Sequence, residues 1–263
     1  MKRFLVAGLT LTLLSLPYPL WAREDKKEWT KLLDKKTFTD AKKATLPYRL
    51  LKPDHYDPEK KYPLVVFLHG AGERGNDNEK QLIHCVAEFA KEENRKKYPC
   101  FLIAPQCPEG KKWVEVDWGA ESHRLPAKAS EPERLVLELI AALQKEYSID
   151  AKRLYVTGLS MGGFGTWDLI ARKPDLFAAA VPICGGGDET QAAKIAKLPI
   201  WVFHGAKDDA VKVSRSRNMI EALKKADGRP KYTEYPEEGH ASWVPAYKDA
   251  AMMKWLFEQK RGS

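Results

Sequence analysis

The pentapeptide Gly158-Leu159-Ser160-Met161-Gly162 sets one hydroxyl between glycines two residues to either side. An apolar, β-rich run (Arg153-Leu154-Tyr155-Val156-Thr157) enters it and a helix-like run from Met161 to Arg172 leaves it. That order describes a sharp strand-to-helix turn with the serine at its apex. Side chains two residues away would collide with neighbouring backbone there, so glycine is required. The following helix points its N-terminus at the serine, where its dipole and free N–H groups favour developing negative charge. The chemistry indicated is nucleophilic attack. A serine hydroxyl is a weak nucleophile near neutral pH, so it needs an imidazole to take its proton and a carboxylate to hold that imidazole in one tautomer.

Both groups occur downstream. His240 lies in Pro236-Glu237-Glu238-Gly239-His240, just past the last strand-like run, and is the leading base. Asp208, in His204-Gly205-Ala206-Lys207-Asp208-Asp209-Ala210-Val211, is the leading acid, with Asp209 as its competitor because either carboxylate could cap the turn that follows. The chain order Ser, acid, His fits the strand–loop positions. Backbone N–H groups must also hold the oxyanion. Met161 N–H supplies one donor, and Ala71 or Gly72, after the strand end at His69-Gly70, supplies the other. His69 and His204 end apolar strands and read as structural. His55, His84 and His123 have no metal-like partners at useful spacing, so neither a metal nor a cofactor is expected.

These residues need elements that position them. Leu64 to Leu68 is a continuous apolar run of the kind buried on both faces of a parallel sheet. Strand-like runs (Tyr48–Leu51, Phe101–Ala104, Leu154–Thr157, Ala178–Cys184, Ile200–Phe203, Tyr232–Tyr235) alternate with helix-like ones (Glu79–Ala90, Pro132–Tyr147, Met161–Arg172, Gln191–Ala196, Val213–Ala226, Ala246–Gln259). The alternation predicts an α/β fold, a mostly parallel central sheet with helices on both faces. The short connection Gly185–Pro199 leaves no room for a separate lid domain. The long one, Asp117–Ser130, with Trp118 in it and Trp113 just before it, is a candidate wall for the substrate site.

Residues 1–22 carry a basic start (Lys2, Arg3), an apolar run from Phe4 to Leu16 and small Ala22, the order of a secretory signal. The run is shorter than the ~20 apolar residues that span a bilayer. Export without stable membrane insertion is therefore expected, to the periplasm or the exterior. Residues 23–45 read as a peripheral segment with a helical turn near Glu28–Leu33, and 46–263 as one catalytic domain. The net charge of +8 becomes +6 once Lys2 and Arg3 leave with the signal. The remaining charge is scattered rather than striped, which argues against nucleic acid. Cys85, Cys100, Cys107 and Cys184 show no C-x-x-C spacing. Buried free thiols are the expectation, with Cys85–Cys100 as an optional pair; Cys100 and Cys107 flank an extended run and would sit ~20 Å apart, too far to bond.

Taken together, Phe67-Leu68-His69-Gly70-Ala71-Gly72-Glu73-Arg74-Gly75, Ala104-Pro105-Gln106-Cys107-Pro108, Gly158 to Gly163 and His204 to Val211 resemble the α/β-hydrolase family. Within it they are similar to the secreted carboxylesterases also labelled predicted peptidases, relatives of phospholipase/carboxylesterase, dienelactone hydrolase and polyhydroxybutyrate depolymerase enzymes. The resemblance runs from about Tyr48 to the C-terminus. It implies Ser160, Asp208 and His240 as a triad acting on a small-molecule or polymer-linked ester. Dienelactone hydrolases carry a cysteine nucleophile, from which Ser160 departs. The alternatives are a serine peptidase of the prolyl-oligopeptidase type, since the same triad cleaves amides, and a non-catalytic polymer- or carbohydrate-binding module on a hydrolase fold.

Overall fold

Tyr62–Leu68 is the strand around which the sheet is built, and every one of its seven residues is buried. Leu64, Val66 and Leu68 face one core layer and Val65 and Phe67 the other, the period-two division that a strand covered on both faces must show. Burying a side chain of this size stabilises by about 2 kcal/mol, so a fully apolar strand belongs at the centre. The computed structural model describes residues 28–262. The expected signal segment 1–22 lies outside the described residues.

Eight strands form one sheet in the order β1-β2-β4-β3-β5-β6-β7-β8. They are β1 Leu33–Thr39, β2 Thr45–Leu51, β3 Tyr62–Leu68, β4 Phe101–Pro105, β5 Ile149–Leu159, β6 Ala179–Ile183, β7 Trp201–Gly205 and β8 Lys231–Tyr235. From β4 to β8 all pairings are parallel, whereas β1 and β2 run antiparallel at one edge. The α-helices are α1 Val86–Ala90, α2 Glu92–Lys97, α3 Glu131–Glu146, α4 Met161–Arg172, α5 Ala192–Ile195, α6 Ser214–Lys225, α7 Trp243–Lys248 and α8 Ala250–Glu258. Apolar side chains of α3, α4 and α6 fill the layer on one face of the sheet, and those of α1, α7 and α8 the layer on the other. This is the α/β-hydrolase fold.

Three expectations change. The segment 23–45 is not peripheral throughout: after a 3₁₀ turn at Trp29–Leu32, β1 joins the sheet. Its lysines, exposed Lys35 and half-buried Lys36, conceal it in the sequence, and charged side chains are what protect an edge strand from pairing with another chain. The single helix expected over Glu79–Ala90 is a 3₁₀ turn, Lys80–Leu82, and a separate α1, because Cys85 between them adopts a left-handed φ of 66°. The closing helix divides at Asp249, whose backbone turns extended so that its carboxylate can cap Ala251 N–H at 2.8 Å. All four cysteines are free, so the optional Cys85–Cys100 pair does not form.

Candidate active site

Ser160 occupies the turn between β5 and α4 with φ 53° and ψ −118°, a conformation that L-residues rarely adopt. The glycines beside it are dictated by contact. A Cβ on Gly162 would lie 2.0 Å from Leu68 O, and one on Gly158 would lie 2.4 Å from Gly162 O. The serine N–H is held from below, donating to Ile183 O at 3.0 Å and approaching Cys184 Sγ at 3.3 Å. Burial pushes the Cys184 thiol up, so it stays a neutral support rather than a second nucleophile.

Ser160 follows β5, Asp208 follows β7 and His240 follows β8, so the three side chains converge from the carboxyl ends of parallel strands in one half of the sheet. Backbone contacts stitch the two loops together. Lys207 N–H donates to Glu238 O at 2.9 Å, and Gly205 approaches Gly239 so closely that a Cβ there would sit 2.2 Å from its carbonyl oxygen. His240 Nε2 lies 2.9 Å from Ser160 Oγ, and its Nδ1 lies 2.8 and 3.0 Å from the two Asp208 oxygens. Because Nδ1 faces only acceptors, it carries the proton, which leaves Nε2 free to accept the serine's.

Asp208 is itself anchored. Oδ1 accepts from Ala210 and Val211 N–H, each at 2.9 Å, and Oδ2 accepts from His204 Nε2 at 3.1 Å. Burial would raise its pKa, but the hydrogen bonds from His204, His240 and Val211 outweigh burial and hold the carboxyl well below the usual range. Asp209 is exposed. His204, expected as a structural strand end, therefore reaches the site through Asp208. His69 follows β3; its Nδ1 donates to Gly70 O at 2.6 Å, and its Nε2 accepts from Cys107 N–H at 2.9 Å. Burial and nearby Arg74 lower its pKa to about 4.

Beside Ser160 opens a cleft of about 190 Å³ lined by Gly70–Glu73, His84, Leu159, His240 and Trp243. Ala71 and Gly72 form a 3₁₀ turn here, and Arg74 Nε donates to Ala71 O at 2.8 Å to hold it. Met161 is the first residue of α4, where a backbone N–H has no partner within the helix. The expected oxyanion donors thus lie around the serine.

The two tryptophans proposed as a substrate wall are not at the cleft. Trp113 is fully buried, donates its indole N–H to His69 O at 3.0 Å and packs where Gly165 lacks a side chain. Trp118 is half-buried beneath Lys112, whose ammonium lies 4.7 Å from the ring centre. The loop carrying Trp118 is clamped by the buried guanidinium of Arg215, which donates to Ala120 O at 2.9 Å, His123 Nδ1 at 2.5 Å and Gly187 O at 3.1 Å. The wall that does face Ser160 includes Trp243, edge-on to His240 at 5.2 Å, and His84, 5.5 Å from the Trp243 ring. Trp243, three residues past His240, and Glu73, inside the Gly70–Gly75 run, are the members that sequence reasoning passed over; proximity to motif residues was the available signal.

Residues 121–254, about half of the chain and including Ser160, Asp208 and His240, match the dienelactone hydrolase family. A bifunctional acetylxylan esterase/xylanase from Neocallimastix patriciarum is 31% identical over 137 residues, 48% of this chain and 20% of that protein. Poly(3-hydroxyalkanoate) depolymerase C from Paucimonas lemoignei is 45% identical over 51 residues, 19% of this chain and 12% of that protein. The crystal structure of a thermostable esterase superposes with a TM-score of 0.82 at 42% identity, over 88% of this chain and 64% of that one. The chain thus spans less than two thirds of each of these proteins. The family match covers half of the chain, and the chain belongs to the dienelactone hydrolase family.

Proposed function

We propose that this protein is an exported serine hydrolase that cleaves carboxylic esters through Ser160, His240 and Asp208. The observation that carries this reading is the unbroken line of hydrogen bonds from Asp208 through His240 to Ser160 Oγ, 2.8 and 2.9 Å long. Ser160 Oγ attacks the ester carbonyl as His240 Nε2 takes its proton, and Asp208 stabilises the imidazolium. Met161 N–H, with Ala71 or Gly72 N–H, receives the oxyanion; each such donor is worth about 3 kcal/mol of barrier. His240 then protonates the leaving alcohol, and water releases the acyl group by the same steps in reverse order of roles.

The relatives' names, an acetylxylan esterase and a polyhydroxyalkanoate depolymerase, support testing small-molecule and polymer-linked esters. Export rests on the signal-like order of residues 1–22, and among the described residues no helix is long and apolar enough to cross a membrane. Turnover of 4-nitrophenyl acetate by the wild type and Ser160→Ala tests the reading. A loss of at least about 10³-fold is expected, together with loss of fluorophosphonate labelling. Equal turnover, or faster cleavage of a matched anilide than of the ester, would overturn it.

A further inference from the structure

The cleft contains a carboxylate that the triad does not use. The Glu73 side chain is 10% exposed, and its Oε2 is buried with no hydrogen-bond partner. The nearby imidazoles do not satisfy it. His84 Nε2 is 3.6 Å from Oε1, and His69 Nδ1, 4.0 Å from Oε2, already gives its proton to Gly70 O. A carboxylate left in this state is costly unless something else donates to it. Its position indicates what that could be: a methyl group placed on Gly70 would touch Glu73 Oε2 at 3.0 Å and Ser160 Cβ at 3.6 Å. That point is also hemmed in by Leu159 Cδ1 at 2.9 Å, so it is not open space; what it shows is that the unpartnered oxygen and the Ser160 side chain both close in on Gly70 and line one cleft, smaller than the usual drug-sized pocket.

We infer that Glu73 is a specificity-determining residue, whose Oε2 accepts a hydrogen bond from a hydroxyl group carried by the substrate close to the scissile ester. The inference rests on the esterase reading above and adds a substrate class to it: esters of hydroxy acids or of polyhydroxylated alcohols. A cationic donor fits less well, because Arg74 adjoins Glu73 in the chain, His84 faces its carboxylate, and the whole chain carries a net charge of +8. A site built to bond a hydroxyl discriminates strongly against the analogue lacking it, because the buried acceptor is then left unpaired.

The test compares kcat/KM within two matched pairs, methyl 3-hydroxybutyrate against methyl butyrate and 2-hydroxyethyl acetate against propyl acetate, for the wild type, Glu73→Gln and Glu73→Ala. Methyl 3-aminobutyrate serves as the cationic comparison. The wild type should prefer the hydroxylated ester about 10-fold or more in at least one pair. Glu73→Ala should bring that ratio below about two, and Glu73→Gln, which keeps an acceptor oxygen, should retain part of it. A structural role alone would change all rates and leave the ratio where it was, so an unchanged ratio in both variants overturns the inference. A wild-type ratio near one in both pairs overturns it without any variant, as does a preference for the amino ester over the hydroxy ester. Failure to hydrolyse any of the esters, or 4-nitrophenyl acetate, would instead remove the esterase reading and this inference with it.

Discussion

Replacing Asp208 with Asn keeps the shape of the acid and reverses the polarity of one of its two oxygens. The structure dictates which one. Oδ1 accepts two backbone N–H groups, from Ala210 and Val211, so an amide NH₂ there would oppose two fixed donors. The amide oxygen therefore takes the Oδ1 place and the NH₂ takes that of Oδ2, 2.8 Å from His240 Nδ1. Nδ1 then faces a donor at its shorter contact and the amide oxygen only at 3.0 Å, so the productive tautomer is no longer enforced; in the tautomer that the NH₂ favours, the imidazole proton sits on Nε2, which donates to Ser160 Oγ instead of taking its proton. The NH₂ also opposes His204 Nε2, which cannot give up its proton without leaving Val211 O unpaired. Loss of the correct tautomer in a serine triad is worth about 10⁴-fold in rate, or about 5.4 kcal/mol of barrier. Stopped assays with 4-nitrophenyl acetate at pH 8 should show that loss while thermal unfolding and circular dichroism report a folded protein. Asp209→Asn, altering an exposed side chain, should stay within two-fold of wild type. A folded Asp208→Asn protein retaining more than a tenth of wild-type kcat/KM would refute the assignment of the acid.

Gly162→Ala drives a methyl to 2.0 Å from Leu68 O, with backbone on both sides and no flexible side chain to yield. A cost of about 3 kcal/mol is expected, seen as a fall in Tm of roughly 10 °C together with lost turnover; an unchanged Tm would contradict the close approach of α4 to β3. The buried His69 ring makes stability depend on pH. Its folded-state pKa of about 4 lies below that of an unfolded histidine, so the unfolded chain takes up the proton first. The contribution is complete above about pH 6.5 and is lost as pH falls toward 4, amounting to about 3 kcal/mol. Half-buried His123, lowered to about 4 by burial and by Arg215, acts in the same direction. Tm measured against pH should fall more steeply for the wild type than for His69→Gln across that window, and parallel curves would refute the argument. Below it Asp208, held under the normal carboxylate range, adds its own loss as its carboxylate is protonated.

The sequence was most informative where one residue type has one physical use. Glycines two residues either side of Ser160 are explained only by backbone approach, and carbonyl oxygens stand against both positions. The all-buried run of β3 and the alternation of strands with helices carried the fold in the same way, because parallel strands need apolar residues on both faces. What was hidden depended on tertiary pairing. β1 presents lysines at an edge, where no burial pattern betrays a strand, and the backbone reversals at Cys85 and Asp249 divide runs whose periodicity is unbroken. Trp113 misled for a related reason: in sequence it belongs to a long connection, but its indole N–H has a partner inside the core and its bulk fills the space that Gly165 leaves.

The alignment of Ser160, His240 and Asp208 is a property of the backbone more than of side-chain packing. Ser160 is fixed through its own N–H to β6, Asp208 through two N–H groups of its own loop, and the His240 loop through Lys207 N–H and the contact of Gly205 with Gly239. Such contacts do not relax as rotamers do, so the strained φ of Ser160 can persist with its hydroxyl aimed at His240 before substrate arrives. The cleft beside it is arranged differently. Glu73, His84 and Trp243 sit on short elements or the bends between them, joined by ring contacts and by a 3.6 Å approach of His84 Nε2 to Glu73 rather than by backbone bonds. Changes there can reshape the cleft without disturbing the backbone contacts that hold Ser160, and the same separation is why the pentapeptide at Ser160 is legible in the sequence while Trp243, three residues past His240, is not.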